Sequence, residues 1–380
     1  MSYSVGIITY HAAYNFGSVL QAYATQMAYI QEGADAYIIN YRPQSQVSYY
    51  EPLYRTGYSF KTFLQDALLF PVRKDRLIRS ERFERFINTR LHLTERVNSP
   101  KQLQQFSHAF DIFVSGSDQI LNIHSNEYQG EGFDAMKPYL LDFTQRHKVS
   151  YASSPANMTD AELMHIVTSL KKFSMLSARE QDTAKRLSRI MGVTVKNVLD
   201  PTLLLSRDRW RELVANAADK LSLPNEYAVY YTLDGTKSLL KQIGLLRQLS
   251  DMANMPVVIV SPFAFFPASR KLIDGRSIGP AEFIQLLDNA SLVVTDSYHG
   301  TLFSMNLETP FLSISNGKGS STRKDQVLER MHVQDSIVMN LRNAVEYVTA
   351  SGIPKTRCVD NYLIPARESS FKYIRETLQQ

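Results

Sequence analysis

The sequence has 380 residues, with 42 lysines and arginines against 37 aspartates and glutamates and a formal net charge of +5. That length exceeds one ordinary hydrophobic core and predicts two domains of ~150–200 residues, while no stretch approaches the ~20 apolar residues of a membrane span. A single cysteine, Cys358, excludes an intrachain disulfide and a cysteine-cage zinc site; the basic balance suits an anionic small molecule, an anionic membrane face or nucleic acid.

In chain order, the opening MSYSVGIITYHAAYNFGS shows no basic n-region, long apolar h-region or small-residue cleavage site, which points to the cytoplasm. Short apolar, β-branched runs at 5–9, 36–40, 112–115, 149–153 and 195–199 predict strands, with helical patterns between them. Residues 41–61 are rich in Tyr, Ser and Pro and read as a long loop carrying Tyr41, Tyr49, Tyr50, Tyr54 and Tyr58, whose faces suit sugars. The run Arg73, Lys74, Arg76, Arg79, Arg82, Arg85 and Arg90 is threaded by Leu77, Ile78, Phe83 and Phe86 at helical spacing. It predicts a solvated amphipathic helix, with a surface for anionic lipid as the sharper alternative; no nucleic-acid-binding signature accompanies it. After a break at 200–225, strands are predicted at 226–233, 256–260, 291–295 and 310–315, with helices at 237–253 and 280–290. The final segment, 367–380, reads as a helix with Phe371, Ile374 and Leu378 on one side.

Continuous hydrophobic strands alternating with helices are the pattern of parallel sheets covered on both faces. The predicted fold is α/β, with two Rossmann-like doubly wound domains facing a cleft: residues 1–205, then 206–360, with a terminal helix at 361–380 packing back on the first. Ligands in such sheets bind at the carboxyl ends of the strands.

Several segments sit at those ends. Thr9-Tyr10-His11-Ala12-Ala13-Tyr14-Asn15-Phe16-Gly17-Ser18 carries the first strand into a helix, where glycine lets backbone approach a ligand and the helix N-terminus offers unpaired N–H groups. Val114-Ser115-Gly116-Ser117-Asp118-Gln119 ends the third strand, and the 149–154 strand VSYASS is followed by Ser177-Ala178-Arg179-Glu180 and Val198-Leu199-Asp200-Pro201-Thr202. Thr295-Asp296-Ser297-Tyr298-His299-Gly300-Thr301 ends a strand of the second half. By residue type alone, Asp118 is a base for a hydroxyl or part of a helix-capping turn. Arg179 is an anion ligand or the partner of Glu180 or Asp182, and His299 is a proton donor or a cap on the next helix.

Taken together and in this order, these six segments resemble the polysaccharide pyruvyl transferase family from Gly6 to about Lys318, departing from its pattern at Leu121, where an aromatic residue is frequent. The two halves resemble the glycosyltransferase B architecture. The resemblance implies transfer of the enolpyruvyl group of phosphoenolpyruvate to a sugar as a pyruvate ketal, on a lipid-linked capsule, exopolysaccharide or cell-wall intermediate in a bacterium, with peripheral contact at the inner membrane. It implies His299 and Asp118 as catalytic residues, and Arg179, His299, Lys318, Arg323, Lys324, Tyr298 and Gly300 around the donor. Tyr14, Asn15, Gly17, Gly116, Ser117 and Asp118 fall to the acceptor. Phosphoenolpyruvate joins a phosphate and a carboxylate on three carbons, so two or three cationic or amide donors must converge on it. No aspartate-rich cluster marks a metal site, and no cofactor is expected. Two alternatives stay open: a nucleotide-sugar-dependent glycosyltransferase of the same architecture, and a non-catalytic sugar-binding component of polysaccharide assembly.

Overall fold

The computed structural model describes residues 2–50, 72–128, 130–215, 221, 223–261, 264–315, 317 and 321–379. It divides into two compact units, one formed by residues 1–62, 84–205 and 364–380, the other by 63–83 and 206–363. The fold is α/β with parallel sheets throughout the named ladders.

In the first unit, β1 (Ser4–Ile8), β2 (Asp35–Ile38), β3 (Ile112–Ser115) and β4 (His147–Ser150) form a sheet in the order β2-β1-β3-β4. A parallel pair, β5 (Leu176–Ala178) and β6 (Val195–Asn197), adjoins β4, where Ser150 N donates to Met175 O at 3.0 Å. On the far edge, isolated parallel bridges join Ile38 to Leu93 and Tyr41 to Val97. Counting that irregular edge, the strands run 3-2-1-4-5-6-7, the doubly wound order with one further strand at its end. The second unit repeats the doubly wound order. Its β7 (Ala228–Tyr231), β8 (Val257–Val260), β9 (Leu272–Asp274), β10 (Leu292–Thr295), β11 (Phe311–Ile314) and β12 (Ile337–Val338) lie in the order β9-β8-β7-β10-β11-β12. Crossovers turn in opposite directions between β1 and β3 and between β7 and β10, so a crevice opens beyond the carboxyl ends at each switch.

The central strands are fully buried, as their continuous apolar runs require. The sequence reading lacks β9 and β12, which have three and two residues and are too short for a periodic signal. Helices α1 (Phe16–Gln31) and α2 (Gln44–Tyr50) follow β1 and β2. The second is a departure: residues 44–50 of the expected loop form a helical turn pair, begun where Val47 N donates to Pro43 O at 3.1 Å, and Tyr54 and Tyr58 lie outside the described residues.

The basic run forms α3 (Arg73–Arg90), which exposes Arg73, Lys74 and Arg85 as expected of a solvated face while other arginines turn inward. Arg79 is buried, with its guanidinium 4.5 Å from the Phe83 ring centre and donating to Ile278 O at 3.2 Å. Arg82 donates to Ser277 O at 3.0 Å and lies 3.6 Å from Glu282. These arginines brace the second unit, and residues 63–83 group with that unit although the expected boundary at 205 assigns them to the first. The last helix, α12 (Asp360–Leu378), buries Phe371, Ile374 and Leu378. Its Tyr373 hydroxyl donates to Ser150 O at 2.8 Å, its Ser370 accepts from Leu199 N at 3.0 Å, and its Arg367 donates to Leu203 O at 2.7 Å. Among the described residues no helix is long and apolar enough to cross a membrane.

Candidate functional site

Two groups of side chains gather at strand ends, one in each unit. In the first, β3 ends at Gly116, where an added Cβ would sit 2.8 Å from the Thr9 Cβ, so only glycine lets this turn lie against the end of β1. Ser117 is fully buried, with its hydroxyl donating to Ala152 O at 3.1 Å and its carbonyl accepting from Thr9 Oγ1 at 2.9 Å. Gly116 and Ser117 therefore hold the turn. Asp118 follows with φ 77°, a left-handed conformation costly for a residue with a Cβ. Its carboxylate accepts from Ser18 Oγ at 2.6 Å and from Gln119 N at 2.8 Å, which fixes its direction. Asn15 caps α1, its Oδ1 accepting from Gly17 N at 2.9 Å, so both residues shape the helix start.

Arg179 belongs to the first unit, whereas the other described donor residues expected from the sequence belong to the second. Its side chain is 1% exposed; Nε lies 2.9 Å from Glu180 and Nη1 3.0 Å from Asp200. Asp200 in turn accepts from Thr202 N at 3.0 Å and caps the short turn Pro201–Leu203. Arg179 thus bridges two buried carboxylates.

Beside the ends of β1 and β2 lies a cavity of about 190 Å³, lined by Ala12, Tyr14, Arg42, Gln46, Val47, Tyr50, Glu84 and Arg96. Glu84 accepts from Tyr14 OH at 2.8 Å and from Arg42 Nη1 at 2.6 Å. The Tyr14 and Tyr50 rings stand 5.8 Å apart at 44°. Behind this wall Glu127 accepts from Gln46 Nε2 at 2.5 Å and from Tyr50 OH. Burial pushes the Glu127 carboxyl up to about 7; the two donors oppose the shift and the Asp118 charge adds to it. His11, next to Ala12, is pushed down to about 4 by burial first and by the Arg42 charge second, so it is neutral at pH 7. Of this set the sequence singled out only Tyr14 and Tyr50. Arg42, Gln46, Glu84, Arg96 and Glu127 come from four separate segments and carry no motif.

In the second unit, α9 (Tyr298–Asn306) starts directly after β10, capped by Ser297, whose Oγ accepts from Gly300 N at 3.3 Å. A Cβ at Gly300 would lie 2.7 Å from both Thr295 Oγ1 and Tyr231 Cδ1, so glycine sets how closely the helix approaches the strands. His299 is 9% exposed, in the first turn, with its ring edge-on to Tyr298 at 5.1 Å. Asp296 accepts from Thr232 Oγ1 at 2.6 Å; burial raises its carboxyl above the usual range, helped by Asp234 and opposed by Thr232 and Lys324. Lys324, on α10 (Ser321–Arg330), is 1% exposed and donates from Nζ to Asp296 O at 2.7 Å and to Ile314 O. Burial pushes its ammonium down to about 8 against the charges of Asp296 and Asp325. The structure thus brings Asp296, Thr232 and Lys324 together with the start of α9 at the β7/β10 switch. Arg323 precedes Lys324 and is half-buried, while Lys318 lies outside the described residues. Elsewhere in this unit, Glu308, Cys358 and Asp360 gather ligand atoms within 4.8 Å of one another, but Cys358 is exposed and Arg207 pairs with Glu308, so the group carries no assignment.

A family model described as polysaccharide pyruvyl transferase matches residues 15–318. No curated protein matches the sequence. Among solved structures, the chain is similar to the UDP-GlcNAc 2-epimerase of Methanocaldococcus jannaschii, in complex with UDP-GlcNAc and UDP, at 13% identity and a TM-score of 0.57 over 100% of both chains. It is similar to the Neisseria meningitidis UDP-GlcNAc 2-epimerase at 11% identity and a TM-score of 0.56, again over 100% of both. The Rickettsia bellii UDP-N-acetylglucosamine 2-epimerase gives 11% and 0.55 over 100% of this chain and 96% of that one. At these identities the likeness shows the fold, which is glycosyltransferase B-like.

Two measurements check this geometry. Arg179→Ala leaves Glu180 and Asp200 buried without their shared cation, and denaturant unfolding should show a loss of about 3–5 kcal/mol. Glu127 holds its proton more tightly in the folded chain than in the unfolded one, so its contribution to stability is complete below pH ~4.5 and is lost as pH rises through about 7. Unfolding midpoints of the wild-type chain should therefore fall between pH 5 and 8, and Glu127→Gln should flatten that slope.

Proposed function

Because the chain belongs to the polysaccharide pyruvyl transferase family, we propose that it moves the enolpyruvyl group of phosphoenolpyruvate onto two hydroxyls of a sugar, leaving a cyclic pyruvate ketal and inorganic phosphate. The observation that carries this reading is the buried ammonium of Lys324 at the carboxyl ends of β10 and β11, with the start of α9 alongside. A desolvated cation beside the first N–H groups of a helix favours a compact, multiply charged anion. We assign the phosphate and carboxylate of the donor to Lys324, His299 and the α9 backbone around Gly300, with Arg323, Tyr298 and Lys318 as neighbouring candidates. Arg179 we assign to holding Glu180 and Asp200 in place.

The reaction adds a proton to the methylene carbon and joins a sugar oxygen to the adjacent carbon, while that hydroxyl's proton passes to a base. The bond from this carbon to the phosphate oxygen then breaks, leaving an oxocarbenium ion beside the carboxylate. The second hydroxyl closes the ring and gives up its proton. We assign the donation to carbon to His299, whose ring nitrogens can carry and release a proton. Asp118, with its carboxylate held by Ser18 and its strained backbone, suits the base. The acceptor is a sugar, on this reading a lipid-linked intermediate of a bacterial capsule, exopolysaccharide or cell wall, handled at the cytoplasmic membrane face.

The test is phosphate release from phosphoenolpyruvate against a panel of free and lipid-linked sugars, with the product identified by mass. A sugar heavier by one ketal-linked pyruvate supports the reading; turnover only with a nucleotide sugar overturns it. His299→Asn should bind phosphoenolpyruvate within roughly tenfold of wild type yet turn over about 10²–10⁴ more slowly. Lys324→Met should instead weaken donor binding. In the wild-type chain donor affinity should fall as pH rises through about 8, where the ammonium loses its charge.

A further inference from the structure

The cavity in the first unit has no place in the donor chemistry, and its lining is specific enough to name an occupant. At about 190 Å³ it is smaller than the roughly 300–1,000 Å³ that drug-sized ligands occupy, which suits one small ring. Its polar groups are mixed. Arg42, Arg96 and Gln46 offer donors, and Glu84 offers acceptor oxygens. Tyr14, Tyr50, Val47 and Ala12 supply the apolar part, with the two rings tilted into a wedge.

The charges argue against an anion. Arg42 is already paired with Glu84 at 2.6 Å and donates from Nε to Asn40 Oδ1 at 2.8 Å. Arg96 is exposed at the rim. The charges of Glu127 and Asp118 both bear on Tyr50 from behind the wall, raising its hydroxyl after burial has done so. Among the lining residues the Arg42 charge is thus met by Glu84 and the Arg96 charge lies at the solvent-exposed rim, so a phosphate or carboxylate entering here meets little net attraction. A neutral ring bearing hydroxyls, each of which donates and accepts, meets partners of both kinds and an aromatic face.

The wall is also preorganised. Gln46 and Tyr50, four residues apart on α2, both donate to Glu127, which ties that helix to the turn Asn126–Tyr128. Tyr14 is tied by its hydroxyl to Glu84 on α3. A ligand entering therefore orders little that is not already ordered.

We propose that this cavity binds a single neutral pyranose residue, seated against Tyr14 and Tyr50 with its hydroxyls on Arg42, Gln46 and Glu84, and that this residue belongs to the acceptor. The assignment to the acceptor rests on the pyruvyl-transfer reading; the pyranose site itself does not. Glu127 is then a positioning residue, acting through Gln46 and Tyr50.

The test fills the cavity. Val47 lines it without a polar contact, so Val47→Trp occupies the space and leaves the ion pairs intact, with Val193→Trp, at an exposed residue outside the lining, as the control for the added indole. Binding of free neutral monosaccharides to the full chain is followed by saturation-transfer NMR, and acceptor and donor KM by phosphate release. We expect saturation transfer to one or more neutral pyranoses in the wild type and Val193→Trp, its loss in Val47→Trp, and at least a tenfold rise in acceptor KM with donor KM unchanged. Unchanged saturation transfer and acceptor KM in a folded Val47→Trp overturn the site while leaving pyruvyl transfer standing. Saturation transfer lost in Val47→Trp, in a chain that releases no phosphate from phosphoenolpyruvate, keeps the pyranose site and overturns the transfer reading. Displacement of the neutral sugar by inorganic phosphate or a sugar phosphate at lower concentration overturns the assignment to a neutral ring.

Discussion

Parallel strand pairing demands that both faces of a sheet be covered, and everything else in each unit follows from meeting that demand at the centre. Strands such as β3, β7, β8 and β10 leave no side chain in water, so helices must cross back over them, and at one gap in each sheet the crossovers diverge. At those gaps the chain needs residues that occupy little space. Gly116 lies against Thr9 beside the β1/β3 gap and Gly300 against Tyr231 and Thr295 beside the β7/β10 gap. The chemistry-bearing residues come immediately after or before these glycines. Asp118 is two positions past one, and His299 directly precedes the other, so side-chain placement is set by how closely backbone meets backbone.

The two gaps are furnished differently. The second-unit gap holds a cation stripped of water, whose hydrogen bonds go to the carbonyls of Asp296 and Ile314. The first-unit gap holds a carboxylate in a strained turn, and the neighbouring cavity sets carboxylates against guanidinium groups. One surface suits a small, strongly anionic molecule and the other a hydroxylated one. On the proposed reading, the anionic molecule is the donor and the hydroxylated one the acceptor.

Much of this was legible in the sequence because buried parallel strands read as unbroken apolar runs. VVIV at 257–260 and LVVT at 292–295 are examples, and the motif residues 295–301 fell at a strand end as the pattern required. What stayed hidden was whatever depends on register or on distant partners. Between Arg323 and Lys324 the choice turns on which face of α10 points at the strand ends, and composition carries no such information. Within the basic run at 73–90 the inward turn of two arginines was hidden for a related reason: Arg79 and Arg82 find their acceptors 199 and 195 residues later, at Ile278 and Ser277. Arg179 illustrates the same limit at shorter range. Its second carboxylate, Asp200, lies 21 residues on, outside the local window in which Glu180 and Asp182 were weighed as partners.

The placement of α12 bears on how the chain is made. Residues 364–380 group with the first unit, yet they follow 206–363, which group with the second. A ribosome adding about 5–20 residues per second takes roughly 10–30 s to pass from the end of one segment to the start of the other. Throughout that interval the nascent first unit lacks the hydroxyl of Ser370 for the amide of Leu199, the hydroxyl of Tyr373 for the carbonyl of Ser150, and the apolar cover of Phe371 and Ile374. The half synthesised first is therefore finished last, and its exposed flank is the surface a chaperone would have to shield while the second half emerges.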